Sequence, residues 1–262
     1  LLIEDFMLEL RGVSKKYGFL KAVDNISFSV RPGEAVGYLG PNGAGKSTTI
    51  KMLAGLLKPT EGEIFYQGRN IWENPVWFKR KIGYVPEEPT LYPYLSAYEY
   101  LMLVGRLHGL SESVLKQKIT GFMEIFGLAS DMFAELSSFS KGMLQKILIS
   151  AALLHDPEIL LLDEPISGLD ISTVFIIREL VRQLEAEGKI IIYSSHLLEV
   201  VEKVARRVII LHKGRIWADD SIINLRKLMN APSLEEIFKQ MVIQEVPERV
   251  ASELVSLIKK RD

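Results

Sequence analysis

The chain is 262 residues long, 48% hydrophobic and 25% charged, with a formal net charge of −1. That length and apolar content suffice for one large core, or a core with an attached subdomain, and the balanced charge excludes a basic field for binding nucleic acid. The absence of cysteine excludes disulfides and thiolate metal sites and fits a reducing compartment. No apolar run approaches the ~20 residues of a membrane span; stretches such as Ile147 to Leu154 have the length of a core helix. The opening Leu1-Leu2-Ile3-Glu4-Asp5 lacks the basic start and long apolar stretch of a secretion signal. The lack of an initiator Met leaves the true start open. The basic run Lys259-Lys260-Arg261 reads as a solvated helix end.

Met7 to Val13 and Ile26 to Val30 read as strands, the second with Ser27 and Ser29 alternating against Ile26, Phe28 and Val30. Between them lies Lys15-Lys16-Tyr17-Gly18, where an exposed ring can either anchor a loop or stack on a nucleotide base. Pro32-Gly33-Glu34 is a turn into the buried strand Ala35 to Leu39. Gly40-Pro41-Asn42-Gly43-Ala44-Gly45-Lys46-Ser47-Thr48 follows, fitting the phosphate-binding pattern of Gly, four residues and Gly-Lys-Ser/Thr. The run Thr49 to Leu57 behind it has helical spacing at Ile50, Leu53 and Leu57. Strand, loop and helix together are the context that separates this motif from a plain Gly-rich turn. Its backbone N–H groups would face phosphates at a helix N-terminus. Lys46 would reach the β- and γ-phosphates, and the Ser47 hydroxyl would ligate Mg²⁺.

Glu61 to Gly68 has the look of a hairpin strand, and Lys81 to Val85 of a buried one ending at Pro86-Glu87-Glu88-Pro89. Thr90 to Leu154 then carries helical patterns and no convincing strand. Within it, Leu115, Ile119, Phe122 and Phe126 share a face that Gly127 is placed to cap. Tyr92, Tyr94, Tyr98 and Tyr100 crowd its entrance, as core or as a docking groove for a partner helix. Strand pattern resumes at Ile159-Leu160-Leu161-Leu162-Asp163-Glu164-Pro165. A central parallel strand delivers such terminal carboxylates to the ligand crevice. Asp163 would hold Mg²⁺ and Glu164 would orient or deprotonate an attacking water; the alternative is a solvated acidic turn. Ile177, Leu180, Val181 and Leu184 make an amphipathic helix that Gly188 ends, and Lys189 to Tyr193 is a strand leading to Ser194-Ser195-His196. His108, His155 and His212 lie in helix or turn contexts; His196 alone ends a core strand, within reach of a γ-phosphate. Ser233-Leu234-Glu235-Glu236 is a capping box. Pro247 starts a last helix with Val250, Leu254, Leu257 and Ile258 on one side, to be covered by its own domain or a second copy.

This ordered series resembles the ATP-binding subunit of ATP-binding cassette (ABC) transporters from about Met7 to Met241. The aromatic loop Lys16-Tyr17-Gly18, the phosphate loop and the Pro86-Glu87 segment at the Q-loop position come first. Phe139-Ser140-Lys141-Gly142-Met143 at the signature position, Asp163 and Glu164, the D-loop Ser167-Gly168-Leu169-Asp170 and His196 follow. The resemblance implies an α/β fold: a P-loop NTPase core over 1–87 and 156–217 with an antiparallel β subdomain, an inserted α-helical subdomain over 88–155, and a helical tail over 218–262. It implies an Mg-ATP hydrolase with Glu164, His196 and Lys46 as catalytic residues. ATP would be held by Tyr17 and Gly40, Pro41, Asn42, Gly43, Ala44, Gly45, Lys46, Ser47 and Thr48. From a second copy or related subunit, Ser140, Gly142 and Asp170 would contribute in trans. Mg²⁺ would be held by Ser47, Asp163 and Glu87. The implied partners are that second nucleotide-binding subunit and an integral membrane permease on whose cytoplasmic face the chain would sit, with no nucleic acid.

Two positions depart from the family pattern. Lys141 stands where the family has glycine, and adds either a cation near the site or a solvated side chain. Glu87 stands where the family has glutamine, and adds a carboxylate able to bind Mg²⁺. These departures resemble single-domain subunits of exporter-type systems. The alternative reading is a soluble ABC-type ATPase acting on a non-membrane assembly, against which stands the absence of tandem cassettes or long coiled-coil insertions. A GTPase or nucleotide kinase is weaker, because no Asn-Lys-x-Asp stretch occurs.

Overall fold

The structure is a computed structural model and describes residues 7–242 and residue 258. The chain opens with the hairpin β1 (Leu8–Tyr17) and β2 (Leu20–Val30), followed by β3 (Glu34–Leu39), α1 (Lys46–Leu53), β4 (Glu61–Tyr66), β5 (Arg69–Asn70), α2 (Pro75–Lys79) and β6 (Ile82–Val85). A helical stretch follows: α3 (Ala97–Leu107), α4 (Glu112–Ile125), two short 3₁₀ turns and α5 (Lys141–Leu153). Then come β7 (Ile159–Asp163), α6 (Ile171–Ala186), β8 (Ile190–Ser194), α7 (Leu198–Val204), β9 (Arg207–His212), β10 (Arg215–Ser221), α8 (Ile222–Met229) and α9 (Leu234–Val242).

Two sheets result. One is antiparallel, in the order β2-β1-β4-β5; the other runs β10-β9-β3-β8-β7-β6, parallel except for β10 at its edge. In β7, Leu160 and Leu162 pack on the helical side while Ile159 and Leu161 face the antiparallel sheet. β8 divides in the same way, Ile191 and Tyr193 against Ile190 and Ile192. Burial on both faces is why these strands read as continuous apolar runs and not as an alternation.

Several boundaries differ from the sequence expectation. Lys15, Lys16 and Tyr17 are not loop but the end of β1, paired with Val23, Lys21 and Leu20, and β2 begins six residues before Ile26. Their charged side chains hid a strand whose outer face is solvated. The helix behind the phosphate loop stops at Leu53 instead of Leu57, because Gly55 takes φ +65°. His212 closes β9 and stacks on Trp217, so it is neither helical nor a turn residue. Residues 218–221 are still sheet, held by pairs such as Ser221 with Arg207, so the C-terminal helices begin only at Ile222. On α4 the fully buried positions include Met123, while Phe122 is only partly covered. Ser233 Oγ accepts from the Glu236 N–H at 3.2 Å. The stripe expected from Pro247 onward lies outside the described residues, apart from Ile258.

Candidate active site

The loop after β3 is shaped by positions where a side chain cannot fit. A Cβ on Gly40 would lie 2.4 Å from the Leu211 carbonyl oxygen, and one on Gly45 would lie 2.4 Å from that of Ala22. Gly45 also holds φ +105°, which only glycine adopts without strain. The Ala44 N–H donates to Pro41 O at 3.1 Å, closing the curl from which α1 starts. Lys46, 8% exposed, folds back over the loop, its Nζ donating to Gly40 O at 2.7 Å and Pro41 O at 3.3 Å. Burial lowers its pKa, and the carboxylates of Glu164, Asp163 and Glu87 pull the other way.

The acidic side arrives on β7, whose last residue Asp163 pairs with Ser194 of β8. Burial raises the Asp163 pKa; the hydroxyls of Ser194 and Ser47 beside it act in the opposite sense. Asp163 Oδ1 is buried with no hydrogen-bond partner. Glu164, also buried, sits in the left-handed region at φ +49° and donates its N–H to Ser194 O at 3.0 Å. Its Oε2 accepts from Ser195 Oγ at 3.0 Å. Its Oε1 accepts from the His196 N–H at 2.8 Å and lies 2.9 Å from His196 Nδ1. Sequence reading found His196 but missed Ser195, which was visible only as a second serine in the run ending β8.

These groups surround one cleft of about 650 Å³. Its lining brings together Tyr17, Asn42, Gly43, Gly45, Lys46, Ser47, Thr48, Glu87, Asp163, Glu164 and His196, and adds Leu20 and Ala22, which sequence reading did not single out. Gly40, Pro41 and Ala44, expected to hold the nucleotide, are not part of this lining and shape the loop through their contacts. Tyr17 and Leu20 stand at the lip, 48% and 67% exposed, where a flat ring could lie against them. Ser140, Gly142 and Asp170 are not part of this lining. Ser140 caps α5, its Oγ accepting from the Met143 N–H at 3.3 Å. Asp170 caps α6, and its carboxylate is held well below the usual range by the Ser172 hydroxyl, by Thr173 and by Lys146.

Among the described residues no three His, Asp or Glu side chains form a metal cage of their own. The unpartnered Asp163 Oδ1, with Ser47 and Glu87 on the same wall, nevertheless fits a divalent ion completed by phosphate oxygens and water. That is the usual way Mg²⁺ is bound.

Residues 23–167 match a family model described as ABC transporter. The chain is 38% identical over 237 residues to the ABC transporter ATP-binding protein NatA of Bacillus subtilis, covering 90% of this chain and 96% of that one. A solved ATP-binding subunit of an ABC transporter superposes with a TM-score of 0.84 at 33% identity, over 90% of this chain and 99% of its own. A dimeric post-hydrolysis state of an ATP-binding cassette, bound to ADP and Pi, superposes with a TM-score of 0.75 at 28% identity, over 82% and 98%. The mixed α/β fold expected from sequence is the fold of these proteins. The chain therefore belongs to the ABC transporter family as an ATP-binding, ATP-hydrolysing subunit.

Proposed function

We propose that two such subunits close head to tail around ATP and that the closure drives export through a separate membrane subunit. One observation carries this reading: the cleft holds the phosphate loop and the acidic pair, while the serine-led end of α5 belongs to the same chain and lies off that cleft. A helix N-terminus with an exposed serine is suited to a γ-phosphate, and in this reading it serves the partner's nucleotide. The dimeric cassette bound to ADP and Pi supports the pairing. Export is supported by the likeness of Glu87 and the Lys141-containing segment to exporter-type subunits. Among the described residues no helix is long and apolar enough to cross a membrane; in this reading the membrane path belongs to a separate chain. That chain would dock near Glu87 and the exposed Tyr92 and Tyr94, placing this subunit on the cytoplasmic face. Residues 1–87 and 156–217 act as the ATP-binding core and 88–155 as the arm carrying the signature.

Within the cleft, Tyr17 stacks on the base, and Lys46 and the loop N–H groups hold the phosphates. Asp163, Ser47 and Glu87 would hold Mg²⁺, which would offset phosphate charge. Glu164 takes the proton of the attacking water, with Ser195 and His196 fixing its carboxylate, and His196 faces the γ-phosphate. The test is Glu164→Gln with ATP on size-exclusion chromatography. The variant is expected to elute as an ATP-dependent dimer, and a monomer at saturating ATP would refute the closure. Co-purification with an integral membrane protein tests the partner.

A further inference from the structure

Lys141 was expected either to add charge near the nucleotide or to point into solvent. It does neither. Its Nζ donates to Ser167 Oγ at 2.9 Å. Its stem lies across Gly168, where an added Cβ would meet Lys141 Cγ at 3.4 Å and Cδ at 3.5 Å. The rest of the turn touches the same segment. A Cβ on Gly142 would come within 2.4 Å of Gly168 O, Gln145 Nε2 donates to Pro165 O at 3.0 Å, and Lys146 Nζ lies 3.1 Å from Asp170 Oδ2. The Ser167 N–H donates in turn to Glu164 O at 3.2 Å. The first turns of α5 and residues 165–170 are thus joined at four places, with Glu164 at the upstream end.

We propose that Lys141 is a positioning residue for hydrolysis: its ammonium straps Ser167, so the serine-led turn and the segment after Glu164 move as one piece. The proposal rests on the reading of the site as an ATPase closed by a second copy. In that dimer Ser140 grips the partner's nucleotide while Glu164 serves its own. The strap therefore passes the occupancy of one site to the base of the other.

Steady-state kinetics on the full chain test it. Lys141→Met keeps the stem over Gly168 and removes the donor; Ser167→Ala removes the acceptor. Each is expected to lower kcat about threefold to tenfold, the range of one ordinary intramolecular hydrogen bond, with KM for ATP nearly unchanged. The double variant should be no worse than either single one, and Lys141→Arg should recover most of the rate. A raised KM in Lys141→Met with a silent Ser167→Ala would make Lys141 a phosphate contact and overturn the strap, as would additive losses. A second measurement does not need turnover. Amide exchange at Ser167 and Leu169 in the nucleotide-free chain should quicken in both variants, and unchanged exchange overturns the proposal. A wild-type chain that neither binds nor hydrolyses ATP would count against the functional reading instead, leaving the exchange result to decide the strap.

Discussion

Lowering the pH should weaken this fold at an identifiable ring. His155, between α5 and β7, places Nε2 3.0 Å from Ile82 O. A carbonyl only accepts, so Nε2 carries the proton and Nδ1 is left bare, buried and without a partner. The His108 ring stacks on it with centroids 3.6 Å apart and planes 18° from parallel. Burial first, then the charges of His108 and Lys118, lower the His155 pKa from 6.5 to about 4, against the opposing Ile82 carbonyl and Asp156 carboxylate. Burial and Arg80 lower that of His108. Between about 6.5 and 4 the unfolded chain holds more protons here than the folded one, so stability is full above that window and falls as pH drops through it. At 1.36 kcal/mol per pH unit the whole interval is worth at most about 3 kcal/mol. The ring is partly exposed, so solvent reduces this to about 1–2 kcal/mol. Urea unfolding at pH 7.5 and pH 5, for wild type and His155→Phe, measures it. The phenyl ring keeps a stack but loses the bond to Ile82, which lowers stability by about 1 kcal/mol at pH 7.5. The wild type's advantage should shrink by about 1 kcal/mol at pH 5, while other titrating groups cancel. Equal losses in the two proteins would refute the reasoning.

Two other outcomes follow from the cleft. Ser195→Ala removes the Oε2 donor of Glu164, and kcat should fall about tenfold while equilibrium ATP binding is kept; an intact kcat would mean that His196 alone aligns the carboxylate. Glu87→Gln removes one negative charge from the cleft that Lys46 also lines, and the Mg²⁺ concentration for half-maximal hydrolysis should rise roughly threefold to tenfold with ATP binding spared. Identical metal titrations would show that Glu87 takes no part in holding the ion.

The parallel core was legible because its chemistry is written locally. Strands buried on both faces must be apolar throughout, and Ile159 to Leu162 or Ile190 to Tyr193 can be little else. The extension of β1 to Tyr17 was not legible. Lys15 and Lys16 reach out to the Lys58 carbonyl and to Glu61, contacts 43 and 45 residues away that no local pattern encodes. The same holds for β10, where a charged Asp219 is paired with Arg207, itself bonded to Glu34 and Ser29 O. Charge on an edge strand such as β10 guards it against pairing with another chain and makes it look like a loop.

Glu164 shows why the site was less legible than the fold. Sequence places it after Asp163 at a strand end, but its backbone is where a glutamate before proline should not be. Proline disfavours helical angles in the residue it follows, and a left-handed non-glycine residue costs about 1–3 kcal/mol. That conformation persists because the end of β8 over-determines it. Ser194 O takes its N–H, while Ser195 Oγ and the His196 N–H fasten its two carboxylate oxygens. Those partners lie 31 and 32 residues downstream and meet Glu164 only because β7 and β8 are paired in register, Asp163 beside Ser194. Strain held by several independent contacts is expected where chemistry sets the geometry. The Ser195 hydroxyl and the Ser194 carbonyl are therefore as much a part of this carboxylate's placement as the acidic motif itself.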